Sequence, residues 1–338
     1  MRNLEAKPHT RIPLTFKLSA FTTAVVLGTA TLLIWQTSRD LRQESEQLGL
    51  EASGLRAKMT STQVEETLDT LIEKTRAVGL ILSSKTFTEK EKENALAVFF
   101  RTDKKFASVE ILNLQEKKII LMNRVINDSY LKLYNLSEDF ILTLRQRSSY
   151  FTNFIFKGET EIINASQKGG APLVTIGTPL STDSSGVTTA IVIAHVALDL
   201  LQKNASKLDN DGVTFVVDKN GMLLAHPDEN RLLEKETLSV NPIVREALSH
   251  KKSVAELPFK NLDDGIDYIG AYSKTKFGPI VITYTKADNF YPLISKLKRR
   301  AFELTGYALF ISLFFAALFS ASMTTPLQKI LYFHKRNY

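Results

Sequence analysis

From Leu18 to Trp35 the chain reads LSAFTTAVVLGTATLLIW, without a charged residue. With Leu14 and Phe16 the apolar run reaches about 20 residues, enough for a helix to cross roughly 30 Å of hydrocarbon. A second run, Ala301 to Met323, carries Glu303 as its one charge, close to its entry. A core helix that is apolar on every side is unusual in a small domain, so both runs read as membrane crossings. Two crossings put both ends of the chain on one side of a membrane and the segment between them on the other.

A cleaved signal sequence is the rival reading of the first run. Its apolar region is usually ~7–15 residues long and ends at a small-x-small site. Here the run is longer and ends in Ile34-Trp35-Gln36, which favours an uncleaved helix over residues 14–36. Lys17 can snorkel to the near interface, and Trp35 suits the far one. Residues 1–13 carry Arg2, Lys7 and Arg11 against Glu5, a positive tail expected in the cytoplasm. Lys296, Lys298, Arg299 and Arg300 precede the second run, and Lys329, Lys335 and Arg336 follow it. Those charges do not orient it, so the first helix sets the topology.

Lys and Arg number 43 against 36 Asp and Glu, a formal net charge of +7. The densest basic patches flank the apolar runs, and no single Arg-rich tract exists. That distribution points to an anionic membrane as partner and not to nucleic acid. The chain has no cysteine, which removes disulfides, thiol catalysis and Cys-ligated metal sites.

Thr37 to Ser84 contains no proline. Leu41, Leu48 and Leu55 lie seven apart, with Ala52 and Met59 on the companion seam. Leu68, Ile72, Thr75, Gly79 and Leu82 continue at spacings of three and four. This is an amphipathic helix over residues 37–84, with a coiled-coil seam at its start that suggests a homodimer. It is either continuous or broken into two near Gly49–Gly54.

Residues 85–200 then read as helix (Glu89–Arg101), hairpin (Ser108–Leu114 and Lys118–Met122), helix (Asp128–Arg145) and antiparallel strands. The strands are Tyr150–Phe156, Glu161–Ala165, Pro172–Pro179 and Val187–His195. Residues 201–295 repeat the plan on a smaller scale, after a short helix over Val196–Leu208. Their hairpin is the clearest: Val213, Phe215 and Val217 alternate, Asp218-Lys219-Asn220-Gly221 turns, and Met222–Ala225 returns. A polar helical stretch, Asn230–His250, and strands at Ser253–Phe259, Ile266–Ser273 and Ile280–Tyr284 follow. The class is α+β.

Strand, VVDKNG, strand, AHPD, over residues 216–228, resembles the membrane-proximal subdomain of double Cache sensor domains. Those are tandem PAS-like folds that bacterial receptors hold outside the inner membrane. The resemblance implies two antiparallel-sheet subdomains on a long N-terminal helix, flanked by two transmembrane helices. Residues 85–200 would be the membrane-distal subdomain and 201–295 the proximal one, with transmembrane helices over 14–36 and 301–323. Thr324-Thr325-Pro326-Leu327-Gln328-Lys329-Ile330 resembles the opening of a HAMP linker, so residues 324–338 would be its truncated start and Pro326 part of the signal relay.

His9, His195, His226, His250 and His334 fall in no metal-ligand spacing, and no nucleotide-binding or nucleophile-elbow motif occurs. No cofactor and no enzyme activity are expected from this chain. Amino-acid-binding members of the family carry Arg-x-Trp-Tyr in the distal subdomain. Arg147-Ser148-Ser149-Tyr150 keeps the Arg and Tyr and lacks the Trp. By that resemblance Arg147 and Tyr150 are candidate ligand contacts, with Arg147 suited to a carboxylate. Asn153, Asn164 and Thr175 on neighbouring strands join them.

The expected function is the sensory half of a bacterial inner-membrane receptor. Its periplasmic domain would bind a small ligand and pass a signal through the second membrane helix to a cytoplasmic effector. Two alternatives stay open. One is a membrane-anchored binding module that signals through a separate partner; the other is the N-terminal fragment of a nucleotide cyclase or histidine kinase.

Overall fold

The computed structural model describes residues 14–115, 118–147, 158–166, 171–205, 207–209, 212–234, 236–261, 264–290, 299–315 and 318. The chain divides into two compact units, the first of residues 1–47 with 290–338 and the second of residues 48–289.

The first helix, α1, runs unbroken from Leu14 to Ser83. It passes through Gly49 and Gly54 without a break. A helical glycine costs about 1 kcal/mol relative to alanine. Burying Val64, Leu68, Leu71 and Ile72 on one side of the same helix returns roughly 1.5–3 kcal/mol per side chain, which decides for continuity.

In the first unit α1 exposes Phe21, Leu32, Leu33 and Trp35. This end of α1 is long and apolar enough to cross a membrane, with mean hydropathy 1.3 and none of the window buried. Residues 299–315 form a second helix, α8, which exposes Phe302, Phe310 and Phe314. The remainder of the expected crossing, beyond 315, falls mostly outside the described residues, as does Pro326.

The second unit holds two antiparallel sheets. After α1, Thr88 caps helix α2, Glu89–Thr102, in a capping box with Glu91. Strands β1 (Phe106–Gln115) and β2 (Lys118–Ile126) form a hairpin, followed by α3 (Asp128–Leu133) and α4 (Glu138–Arg147). The single helix expected over 128–145 is therefore two, separated where Asn135 takes a positive φ of 51°. Strands β3 (Glu161–Asn164), β4 (Leu173–Thr182) and β5 (Thr188–Ala197) complete a sheet of order β2-β1-β5-β4-β3.

Helix α5 (Asp199–Ala205) leads into the second sheet, with β6 (Lys207–Asp209), β7 (Gly212–Val217) and β8 (Leu223–Ala225). The β7–β8 turn is the one its sequence demands. Gly221 has a φ of 80°, cheap only without a Cβ, and Asp218 accepts from the Asn220 and Met222 amides at 2.8 and 2.9 Å. Helices α6 (Glu229–Leu233) and α7 (Pro242–Ser249) replace the one long helical stretch expected, with Pro242 in the first turn of α7 where a missing N–H costs nothing. Strands β9 (Val254–Lys260), β10 (Asp267–Lys274) and β11 (Ile280–Lys286) give the order β6-β7-β11-β10-β9, with β8 paired to β7. The tandem α+β plan read from the sequence is the one found.

One apolar cluster binds α1 to both sheets. Val64, Leu68, Ile72, Val78 and Leu82 pack with Val109, Ile176 and Val192 of the first sheet and with Val216, Leu224 and Val281 of the second. Polar contacts repeat the attachment: Ser61 and Ser273 hydroxyls lie 2.8 Å apart, and Glu65 accepts from the Lys276 amide at 2.8 Å. Leu48, Leu55 and Met59 lie on a different side of the helix and are 59–62% exposed.

Candidate functional site

Strand alternation assigns the two faces of the first sheet. Val109, Ile111, Ile162, Val174, Ile176, Val192 and Ala194 pack in the cluster with α1. The alternate residues face the other way, and cross-strand pairing orders them in rows. One row is Ile126, Ser108, His195, Thr175 and Ile163; the next is Arg124, Glu110, Ile193, Gly177 and Glu161. Toward one end lies an apolar cluster of Tyr130, Leu131, Ile141 and Leu144 from α3 and α4 with Leu173 and Ala197. Toward the other lies a second, of Leu112, Leu114, Ile191 and Ile193. Ser108, Glu110, Arg124, Thr175 and His195 thus form a polar belt between two apolar clusters.

The belt is deeply buried and incompletely paired. Glu110 is 1% exposed, and Ser108, Thr175 and His195 are equally enclosed. Thr175 Oγ1 and His195 Nδ1 are hydrogen-bonded at 2.8 Å. Arg124 Nε lies 2.7 Å from Glu110 Oε1. That approach is ionic but misaligned, so neither atom makes a directional hydrogen bond, and Ser108 Oγ and Arg124 Nη2 also have no partner among the described residues. Burial, and then the Arg124 charge, lower the His195 pKa to about 4, so the imidazole is neutral near pH 7. Each unanswered buried polar group costs about 1–3 kcal/mol. Several on one face make a surface that a small hydrogen-bonding molecule would stabilise.

Of the residues read as ligand contacts, Thr175 is in the belt. Asn164 is not: its cross-strand partner is Val174, on the α1 side of the sheet. Arg147 is the last residue of α4. Its side chain, with Tyr150, Asn153 and the strand expected at 150–156, lies outside the described residues. Ser108, Glu110, Arg124 and His195 were missed. The available signal was a Glu and an Arg inside otherwise apolar strands.

Asn164 belongs instead to the joint between the two sheets. Its amide donates to the Leu223 carbonyl at 2.5 Å, and its main-chain N–H approaches Asp218 Oδ2 at 3.4 Å. Next to it, Lys219 of the β7–β8 turn pairs with Glu161, the last residue of the Arg124–Glu110 row. Gln202 of α5 accepts from the His226 amide at 2.9 Å and donates to the His226 carbonyl. Among the described residues no group of three or more His, Asp and Glu is placed to hold a metal ion.

The chain resembles solved sensor domains in structure. One is the ligand-binding domain of the Pseudomonas aeruginosa amino acid chemoreceptor PctC in complex with GABA. It is 15% identical, covers 70% of this chain and 99% of its own, and superposes with a TM-score of 0.44. Another is the sensory domain of the Campylobacter jejuni chemoreceptor Tlp3, 14% identical, covering 75% of this chain and 99% of its own at a TM-score of 0.45. A comparison with curated protein sequences finds no match. The family model for the Cache domain, in its dCache_1 form, matches residues 37–300, and the chain belongs to that family.

Proposed function

We propose that the chain is the sensory part of a bacterial transmembrane receptor, and that its first sheet, the membrane-distal one, binds a small polar ligand on the belt of Ser108, Glu110, Arg124, Thr175 and His195. The observation that carries this reading is the set of buried polar atoms on one face of that sheet that have no partner among the described residues. Arg124 offers N–H donors, Glu110 and Thr175 offer acceptors, and neutral His195 serves as either. A ligand bearing both donors and acceptors answers all of them. Arg147, at the end of α4, and Tyr150 and Asn153 after it would complete the site.

The ligand acts as a signal only by favouring one of two arrangements of the protein. The row that holds Arg124 and Glu110 ends at Glu161, which pairs with Lys219 of the second sheet's hairpin. A shift of the first sheet would reach β7 through that contact and β11 through strand pairing. From β11 the chain leads to the apolar run at 301–323, which would be the second membrane helix, and to Pro326 in a HAMP-like relay. The apolar start of α1 would be the first crossing, with both termini cytoplasmic and residues 37–295 outside. Effector coupling is through the cytoplasmic end.

The test is thermal unfolding of the full chain in lipid nanodiscs against amino acids, amines, organic acids and purines. A ligand at 100 times its dissociation constant adds about 2.7 kcal/mol to stability. A hit that is lost in both Thr175→Val and His195→Gln, with the unliganded melting point retained, supports the belt. A hit unchanged in both variants, or no hit across the library, sinks it.

A further inference from the structure

A cavity of about 610 Å³ opens where the two sheets meet. Its walls are Tyr134, Asn135 and Leu136 after α3, Ala171 and Pro172 before β4, Leu198 with Asp199 and Gln202 of α5, and Glu229 and Leu232 of α6. No belt residue lines it. Its volume falls within the roughly 300–1,000 Å³ of small-molecule sites, and its walls mix apolar side chains with the polar Asn135, Asp199, Gln202 and Glu229.

The charge of the lining is one-sided. Among the described residues, Asp199 and Glu229 are its ionisable carboxylates, and no Lys, Arg or His lines it. Lys105, outside the lining, makes a long and half-exposed ion pair with Asp199 at 3.7 Å, which an entering ammonium would share or displace. The Gln202 side chain is tied to the His226 main chain on both sides, so it serves as a fixed wall. Tyr134 presents a half-buried ring, braced against Tyr130 at a centroid distance of 4.7 Å.

Tyr130, packed on this ring, does not itself line the cavity. It is 1% exposed, and its hydroxyl has no hydrogen-bond partner among the described residues. Burial first, then the neighbouring Tyr134 and the Asp199 charge, push its pKa up. The hydroxyl is therefore held as a neutral phenol close to two residues that line the cavity.

We propose that this cleft is a second binding site, and that it takes a small organic cation of the size and charge of a linear diamine. One ammonium group pairs with Asp199 and packs against the Tyr134 ring, where a cation gains from the ring quadrupole. The other pairs with Glu229. The methylene chain lies on Leu136, Leu198 and Leu232. Since α5 is the connection between the sheets and α6 follows the β7–β8 hairpin of the second, an occupant would tie the two sheets together.

The probe is 1,4-diaminobutane, titrated calorimetrically into the full chain in nanodiscs, with 1,4-butanediol and equal ionic strength of sodium chloride as controls. Saturable binding of the diamine alone is expected. Asp199→Asn and Glu229→Gln should each weaken it about tenfold or more, Tyr134→Leu should weaken it and Tyr134→Phe should not. Thr175→Val with His195→Gln should leave it unchanged, so that failure of the belt and failure of the cleft are read separately. No saturable heat, equal binding by Asp199→Asn and Glu229→Gln, or loss in the belt variant overturns the proposal. Melting points close to the parent's confirm that the variants are folded.

Discussion

The Asn164 amide donates to the main-chain carbonyl of Leu223 at 2.5 Å, pinning the edge strand of one sheet to the hairpin of the other. Both residues are buried, and Asn164 Oδ1 also accepts from the Ser166 amide at 2.7 Å. Asn164→Ala leaves a buried carbonyl and a buried amide to find other partners, at about 1–3 kcal/mol. Urea denaturation should show that loss. A change under about 0.5 kcal/mol, the ordinary scatter of surface substitutions, would mean the joint is held by Lys219–Glu161 and apolar packing alone.

Stability should drop as pH falls through a window set by His195. Its pKa goes from an ordinary 6.5 to about 4 on folding. A base depressed in the folded state contributes stability that is fully present above about pH 6.5 and is lost as pH falls toward 4. The full effect is on the order of 3 kcal/mol, since each tenfold loss of proton affinity is worth about 1.4 kcal/mol. His226 adds in the same direction: burial, then Arg231, lower its pKa, and its Nε2 lies 3.0 Å from Arg231 Nη1. Denaturation midpoints at pH 7 and pH 5 should differ most in the parent and less in His195→Gln. Equal pH dependence in the two proteins would remove His195 as the source.

The exposed stripe of Leu48, Leu55 and Met59 continues the heptad seam begun at Leu41, and a second copy of α1 would cover it. Leu48→Glu with Leu55→Glu should convert a dimer to a monomer in sedimentation of the nanodisc-free detergent complex. It should leave the melting point of the sheets nearly unchanged, since these side chains contribute nothing to the core. A parent that is already monomeric would dispose of the seam.

Much of this fold is legible in the chain. Val213, Phe215 and Val217 with the Asp218–Gly221 turn specify a hairpin locally, and turn chemistry does not depend on distant contacts. The stripe of Leu68, Ile72, Thr75 and Leu82 marks the buried face of α1 for the same reason. The belt is harder. Glu110 lies between Val109 and Ile111 in a strand with apolar cover on both faces, so alternation cannot say which neighbour points into a site. Asn164 and Thr175 read alike as strand polar residues, and only the register, Asn164 opposite Val174 and Thr175 opposite His195, puts them on opposite sides. The split of 128–145 into α3 and α4 rests on one positive φ at Asn135, a residue type that tolerates that region without requiring it.

Arg124 and Glu110 make a double-mutant cycle that separates stability from binding. They approach to 2.7 Å with side chains 15% and 1% exposed. Removing one partner from a buried pair strands the other charge and typically costs about 3–5 kcal/mol, whereas replacing both by apolar residues of similar volume is often neutral or stabilising. Glu110→Leu and Arg124→Met should each destabilise strongly, and the double variant should recover most of the loss. If the pair exists for packing, the double variant binds ligand as the parent does. If it faces the ligand, the double variant folds but shows no ligand-induced rise in melting point. The second outcome is expected, because the misaligned contact leaves the Arg124 and Glu110 atoms without directional partners among the described residues.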